Sequence, residues 1–189
     1  MLDEGPVATL EYTQEVIAAL HVIIGQLKQY LGIDRVRMLD VPCGNMQWMA
    51  RFLQTRPDVD YTGVDIVDAF IERHRDTFSD RRPWKFLNLD VVSDPVDVSQ
   101  YDLIVIRAML HLLTHGDVRR ILHKVSNVTA NQRPAFLLAT IFPYADVNRK
   151  VSVNSYGRRE ELNFEIEPFR LNTPLCLFRD GPPSMSVGG

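Results

Sequence analysis

Apolar residues run through Val36, Met38, Leu39 and Val41 and then stop abruptly at Pro42 and Gly44. Such a run suits a strand covered on both faces. Pro42 and Gly44 break it, and Gly44 either supplies a positive φ or lets a ligand approach the backbone. Met46, Trp48, Met49, Phe52 and Leu53 then recur at helical spacing, which predicts a helix over about 45–55. A buried strand that feeds a helix through a glycine turn is a nucleotide-cofactor cradle in open α/β sheets. An ordinary βα turn has the same signature, and this stretch alone leaves both readings open.

The rest of the chain repeats the pattern. An apolar stripe from Val16 to Leu31 predicts a helix over 13–31, with Thr13 as its cap and Gly32 as its stop. A second strand spans 60–65, followed by a helix over 66–78. A third strand spans 84–89, and a fourth, nearly all apolar, spans 101–106. A loop or short helix carries Arg107 to Leu113, then a helix is expected over 117–129 and a fifth strand over 135–142. Alternating strands and helices, with strands of the buried type, predict an α/β fold: an open, mostly parallel sheet with helices on both faces. Residues 143–174 show little periodicity and read as a loop with at most a short extended piece at Leu162 to Ile166. A loop that long is expected to cover a site or to move, so it is read as a substrate lid. A short strand is expected at 175–178, and residues 181–189 read as a flexible tail. Residues 1–180 therefore read as a single domain.

Charge and composition narrow the classes. The net charge of −3 supplies no global attraction to phosphate, so nucleic acid is only weakly supported as a partner. Cys43 and Cys176 are the two cysteines, too few for a disulfide scaffold. No apolar run is long enough for a membrane span, and the start lacks a signal pattern, so a cytoplasmic protein is expected. The sequon at Asn127-Val128-Thr129 is discarded on the same ground.

Four points fall at the carboxyl ends of the expected strands: Asp40 to Gly44, Asp65, Asp90, and Arg107 to His111. In an open α/β sheet these ends share one crevice, where ligands bind. Asp65 can accept both hydroxyls of a ribose or cap the following helix, and the two roles are compatible. Asp90 can meet an adenine amine or cap a turn, and its residues alone favour the turn. No lysine-serine or lysine-threonine pair follows Gly44, and the GxGxxG pattern is absent. The expected ligand therefore has a ribose and a base but no phosphate at the loop. His111 and His115 have helical spacing but no glutamate between them and no cysteine pair nearby, so no metal is expected. No G-x-S-x-G elbow is present. His111 reads either as a general base or substrate contact, or as a packed or capping residue. Arg107 binds an anion or pairs with an acidic neighbour.

The order and spacing of these segments resemble the class I S-adenosylmethionine-dependent methyltransferases. Leu39-Asp40-Val41-Pro42-Cys43-Gly44 is similar to their first motif, Gly63-Val64-Asp65-Ile66-Val67 to the second, Leu89-Asp90 to the third and Tyr101-Asp102-Leu103-Ile104-Val105-Ile106-Arg107 to the fourth. More narrowly, the chain resembles an uncharacterised subgroup with a proline-cysteine-glycine first motif followed by a tryptophan. The resemblance covers about residues 10–180 and implies a Rossmann-like sheet, S-adenosylmethionine as methyl donor and S-adenosylhomocysteine as product. It implies a cofactor set of Asp40, Pro42, Cys43, Gly44, Asn45, Trp48, Asp65, Ile66, Asp90, Val91 and Arg107. Asp40 and Gly44 would face the amino-acid part, Asp65 the ribose, and Asp90 with Val91 the adenine. Arg107 and His111 would border the reacting methyl.

The sequence departs from that pattern at three places. Asn45 stands where an aspartate is common, Ala108 follows the arginine in place of an acid, and His111 comes one position early. The last antiparallel strand of the family has no convincing candidate: either it is missing, which would leave a sheet edge for a partner such as a second copy to cover, or a piece of 143–174 replaces it. The expected reaction is in-line methyl transfer to an oxygen or nitrogen, with His111 as base and Tyr144, Tyr156 and Phe164 meeting substrate from the lid. A small or sugar-like acceptor suits a chain without an added recognition module. Two alternatives stand beside it. One is an RNA methyltransferase using Arg107, Arg149, Lys150, Arg158 and Arg159. The other is a catalytically inactive methyltransferase-like fold acting as a binding or scaffold protein.

Overall fold

The computed structural model describes residues 9–81, 84–126, 135–149 and 161–180. Helix α1, Leu10–Leu31, is held by its apolar stripe: Val16, Leu20, Ile24 and Leu27 are buried. It ends at Gly32, whose φ of 64° is left-handed and lets its N–H reach the Lys28 carbonyl. Strand β1, Val36–Asp40, follows. Helix α2, Met49–Gln54, is shorter than the expected 45–55. Its start is delayed because the Asn45 side chain accepts the Gln47 N–H and Met46 sits at φ 61°, so the backbone turns before it coils. Strand β2, Val59–Asp65, and helix α3, Asp68–Thr77, come next. Strand β3, Lys85–Asn88, strand β4, Leu103–Ile106, helix α4, His115–Ser126, and strand β5, Phe136–Ala139, complete the described elements. Single 3-10 turns at Val98–Gln100 and Leu110–Leu112 flank β4.

The five strands are parallel in the order β3-β2-β1-β4-β5. The Rossmann-like sheet expected from the sequence is therefore present. Alternation along β1 and β4 divides the core in two. Val36, Met38, Leu103 and Val105 pack against α1, α2 and Ile71 of α3. Leu39, Ile104 and Ile106 pack against Val118 and Ile121 of α4, with Leu162 and Phe164. Each fully buried side chain of this kind stabilises the fold by about 1.5–3 kcal/mol. Lys28 and Arg56 both bond Asp58 and so tie α1 to the α2–β2 turn.

Two expected strands are corrected. The fifth stops at Ala139 because the Phe142 N–H turns to the Leu162 carbonyl. Residues 175–178 form no strand, and Leu175 and Leu177 are exposed. They join no ladder, so this short apolar run has no sheet to pack into. Among the described residues β5 has no outer neighbour. No described helix is long and apolar enough to cross a membrane. Tyr156, Lys150, Arg158, Arg159, the sequon at 127–129 and the tail at 181–189 lie outside the described residues.

Candidate functional site

Register places the carboxyl ends side by side: Asp40 pairs with Gly63 and Val105, Asp65 with Asn88, and Ile106 with Ala139. The turn after β1 is fixed from beneath. Val41 N–H bonds the Val105 carbonyl and Cys43 N–H the Val64 carbonyl, both at 2.9 Å. Gly44 then turns back with a φ of 53°. Its N–H donates to Asp65 Oδ2 at 2.9 Å, while Asp65 Oδ1 accepts the Val67 N–H at 2.9 Å. Its carbonyl accepts from His74 Nε2 at 2.6 Å. A carbonyl only accepts, so neutral His74 must carry its proton on Nε2. Burial pushes the His74 imidazolium below its usual range, the Gly44 bond opposes that, and Arg73 adds to it.

Asp40 takes a different direction. Its carboxylate is buried and accepts the Tyr61 hydroxyl at 2.8 Å, with Met46 Sδ 3.0 Å from the same oxygen of Tyr61. Burial first, and then the charge on Asp40, raises the Tyr61 phenol well above its ordinary range. Gly63 makes this packing possible. A Cβ there would stand 2.8 Å from Tyr61 Oη and 2.9 Å from Cys43 Cβ. The close approach of β2 to the Gly44 turn therefore requires glycine.

Past β4, the Arg107 guanidinium lies 5.5 Å above the Trp48 ring. It donates from Nε at 3.0 Å and Nη2 at 2.8 Å to one oxygen of Asp180. Ala108 follows at φ 56°, held by a bond from its N–H to Thr140 Oγ1 at 3.0 Å. Left-handed backbone at the non-glycine residues Met46 and Ala108 stores strain on both sides of the crevice. His111, in the 3-10 turn, is buried with its ring edge-on to Phe142 at 5.8 Å. Ile66 is exposed beside Asp65, and Tyr144 is almost fully exposed. Asp90 accepts from Val92 N–H and Ser93 Oγ and so caps its own turn. Val91 is half-buried there, and its carbonyl accepts from Lys124 Nζ.

Residues 39–132 match a family model described as a methyltransferase domain. Over 145 residues the chain is 30% identical to the malonyl-acyl-carrier-protein O-methyltransferase of Legionella pneumophila, a match covering 68% of this chain and 50% of that protein. The chain thus spans about half the length of that curated relative. The plantazolicin methyltransferase BpumL, solved in complex with a pentazolic desmethylPZN analog and SAH, superposes with a TM-score of 0.51 at 17% identity, covering 70% of this chain and 49% of that one. The bifunctional kinase-methyltransferase WbdD superposes with a TM-score of 0.52 at 17% identity, covering 62% and 27%.

The fold is that of the class I S-adenosylmethionine-dependent methyltransferases.

Within this methyltransferase fold the structure brings Gly44 and Asp65 together directly, and Trp48 and Arg107 together beside them. Asp40, at the end of β1, is buried with one carboxylate oxygen held by the Tyr61 hydroxyl. His74, Lys124 and Asn148 hold the site by contacts that nothing in the sequence announces. His74 sits on a helix face where an aromatic neighbour, Phe70, stacks on it at 6.1 Å, so it reads as core. Lys124 donates to the carbonyls of Val91, Val92 and Asp94 and fixes the Asp90 turn. Asn148 and Asn163 knit the segments around 143–149 and 161–171. The Asn148 amide bonds both Asn163 backbone groups and the Glu167 carbonyl, and Asn163 bonds the Pro143 and Ala145 carbonyls. Asn163 lies between Leu162 and Phe164, both buried. Phe164 is therefore part of the core that anchors this segment.

A cavity of about 710 Å3 lies between the start of α4, at Thr114 to Gly116, and the knitted segments at Asp146 to Asn148 and Ile166 to Pro168. None of the expected cofactor contacts lines it. At the Gly44 turn, by contrast, polar groups converge at the strand ends, where ligands of open α/β sheets bind. Among the described residues no cluster of three or more His, Cys, Asp or Glu side chains could hold a metal ion.

Proposed function

We propose that this chain is an S-adenosylmethionine-dependent methyltransferase that methylates an oxygen or nitrogen of a small-molecule or sugar-like acceptor. One observation carries the reading: Asp65, at the end of β2, hydrogen-bonds the Gly44 N–H of the neighbouring turn at 2.9 Å. Each of its carboxylate oxygens accepts one backbone N–H, and a carboxylate oxygen can accept two bonds. A ribose diol can use the remaining acceptor positions. Exposed Ile66 offers an apolar face to the adenine, and the Asp90 turn offers the polar rim beyond it. S-adenosylmethionine fits a turn that has no phosphate-binding lysine. The relative of 30% identity is an O-methyltransferase, and BpumL was solved with SAH, which supports the same cofactor here.

The sulfonium supplies an electron-poor methyl, and the chain's part is to bind, orient and exclude water. Trp48 and Arg107 would border the methyl. His111 would contribute as base or acceptor contact, and the segment 143–174 would close over the acceptor, with Tyr144 and Tyr156 along it; Phe164, buried in the core, would anchor the segment rather than meet the acceptor. The domain would then span residues 1–180. Titration calorimetry with S-adenosylhomocysteine tests the reading. Micromolar binding, with ATP and NAD as non-binding controls, is expected; no heat with S-adenosylhomocysteine at millimolar concentration would overturn it.

A further inference from the structure

Arg107 is where the two halves of the site meet, and its present partner is an odd one. The guanidinium is largely buried, with a side-chain exposure of 11%, and it lies over Trp48. A charge so placed is costly without a counter-charge. Asp180 supplies that charge from far along the chain, on a segment that joins no ladder. The match is incomplete. Both guanidinium donors fall on the same oxygen, Oδ1. The other oxygen is 3.4 Å from Thr140 Oγ1, a long contact. An arginine fork is built to meet both oxygens of one carboxylate, in two parallel bonds. Asp180 also remains about a quarter exposed, so water can solvate it if it leaves.

We propose that Arg107 is a seat for a ligand carboxylate and that Asp180 is its resident occupant, displaced when that ligand enters. The proposal rests on the reading that the Gly44 crevice takes S-adenosylmethionine. Two sources share the chemistry: the α-carboxylate of the cofactor's methionine part, and a carboxylate on the acceptor. Ala108 and Thr140 hold the seat in place, since the bond from the Ala108 N–H to Thr140 fixes the backbone next to Arg107. Asp180 then guards the seat from unrelated anions until a better-fitting carboxylate competes.

The test measures binding of three probes to the full chain and to Asp180→Asn. The probes are S-adenosylhomocysteine, 5′-methylthioadenosine, which has the same nucleoside but no carboxylate, and succinate. If the cofactor's carboxylate takes the seat, Asp180→Asn tightens S-adenosylhomocysteine by about three- to tenfold and leaves methylthioadenosine unchanged. If the acceptor's does, succinate tightens by a similar factor and the nucleosides do not change. In either case Arg107→Gln in the Asp180→Asn background removes the gain. No change for any probe, or equal tightening of methylthioadenosine, overturns the proposal and makes the pair a purely structural one. Failure of the wild type to bind either nucleoside would instead sink the methyltransferase reading, while the succinate arm still decides the role of Asp180.

Discussion

The two sides of the crevice are built in different ways. On the β1–β2–α3 side, every constraint on the Gly44 turn comes from β1, β2, β4 or α3 by a short bond: Asp65 to its N–H, His74 to its carbonyl, and Val64 and Val105 to its neighbours. On the side beyond β4, the constraints span long stretches of irregular chain, with Arg107 reaching Asp180 and Asn148 clasping Asn163. The first side is a rigid cradle set by the sheet. The second is a surface assembled from side-chain contacts between segments far apart in sequence. A group-transfer site needs both: a fixed place for the cofactor and an adjustable wall for the acceptor.

The contrast can be broken from either side. The largest effect is expected from Gly63→Ala. The new Cβ would press on Tyr61 Oη and Cys43 Cβ, neither of which has room to move. A loss of about 2–3 kcal/mol is expected in urea unfolding, with weaker S-adenosylhomocysteine binding, because the turn itself must shift. Asn148→Ala should cost about 2 kcal/mol by leaving the Asn163 and Glu167 backbone groups without their partner. Its signature is faster proteolysis between 143 and 171, with S-adenosylhomocysteine affinity unchanged within about twofold. If affinity fell as far as in Gly63→Ala, the two sides would not be separable.

Acid should loosen the cradle side first. The folded protein depresses the His74 pKa below its usual 6.5, so the unfolded chain binds the extra proton more readily. Stability is then full above that value and falls as pH drops through it toward the folded pKa. Asp58 acts lower. Its burial raises its pKa, but bonds from Arg56 and Lys28 outweigh that and bring it down to about 2 from 3.8. Its contribution is therefore present above 3.8 and lost as pH falls toward 2. Thermal melts of wild type and His74→Gln between pH 7 and 5 check the first leg, which the variant should flatten. The smallest effect is expected from Lys124→Met, about 1 kcal/mol, since the Asp90 turn keeps its own Asp90–Ser93 and Asp90–Val92 bonds.

Legibility in the sequence follows the same division. The strand and glycine turn at Val36 to Gly44 and the acid ending β2 at Asp65 were readable because local periodicity and a single glycine determine them. The sheet order and the absence of helix at 45–48 were not, because an Asx turn at Asn45 and the left-handed Met46 are local choices that apolar spacing masks. Residues 175–178 form an apolar run like a buried strand yet pair with nothing, since pairing depends on a free edge that local composition cannot reveal. His74, Asn148, Asn163 and Asp180 act through contacts distant in sequence, and nothing adjacent to them announces those contacts.

The most direct test compares S-adenosylhomocysteine affinity in Asp65→Asn and Asn148→Ala by titration calorimetry. An asparagine keeps one acceptor oxygen, so the turn can survive while the ribose loses its charged partner. The expected result is a loss of about tenfold or more in Asp65→Asn against no more than about twofold in Asn148→Ala. Equal affinities in the two variants, with Asp65→Asn still folded, would contradict the placement of the cofactor's ribose on Asp65.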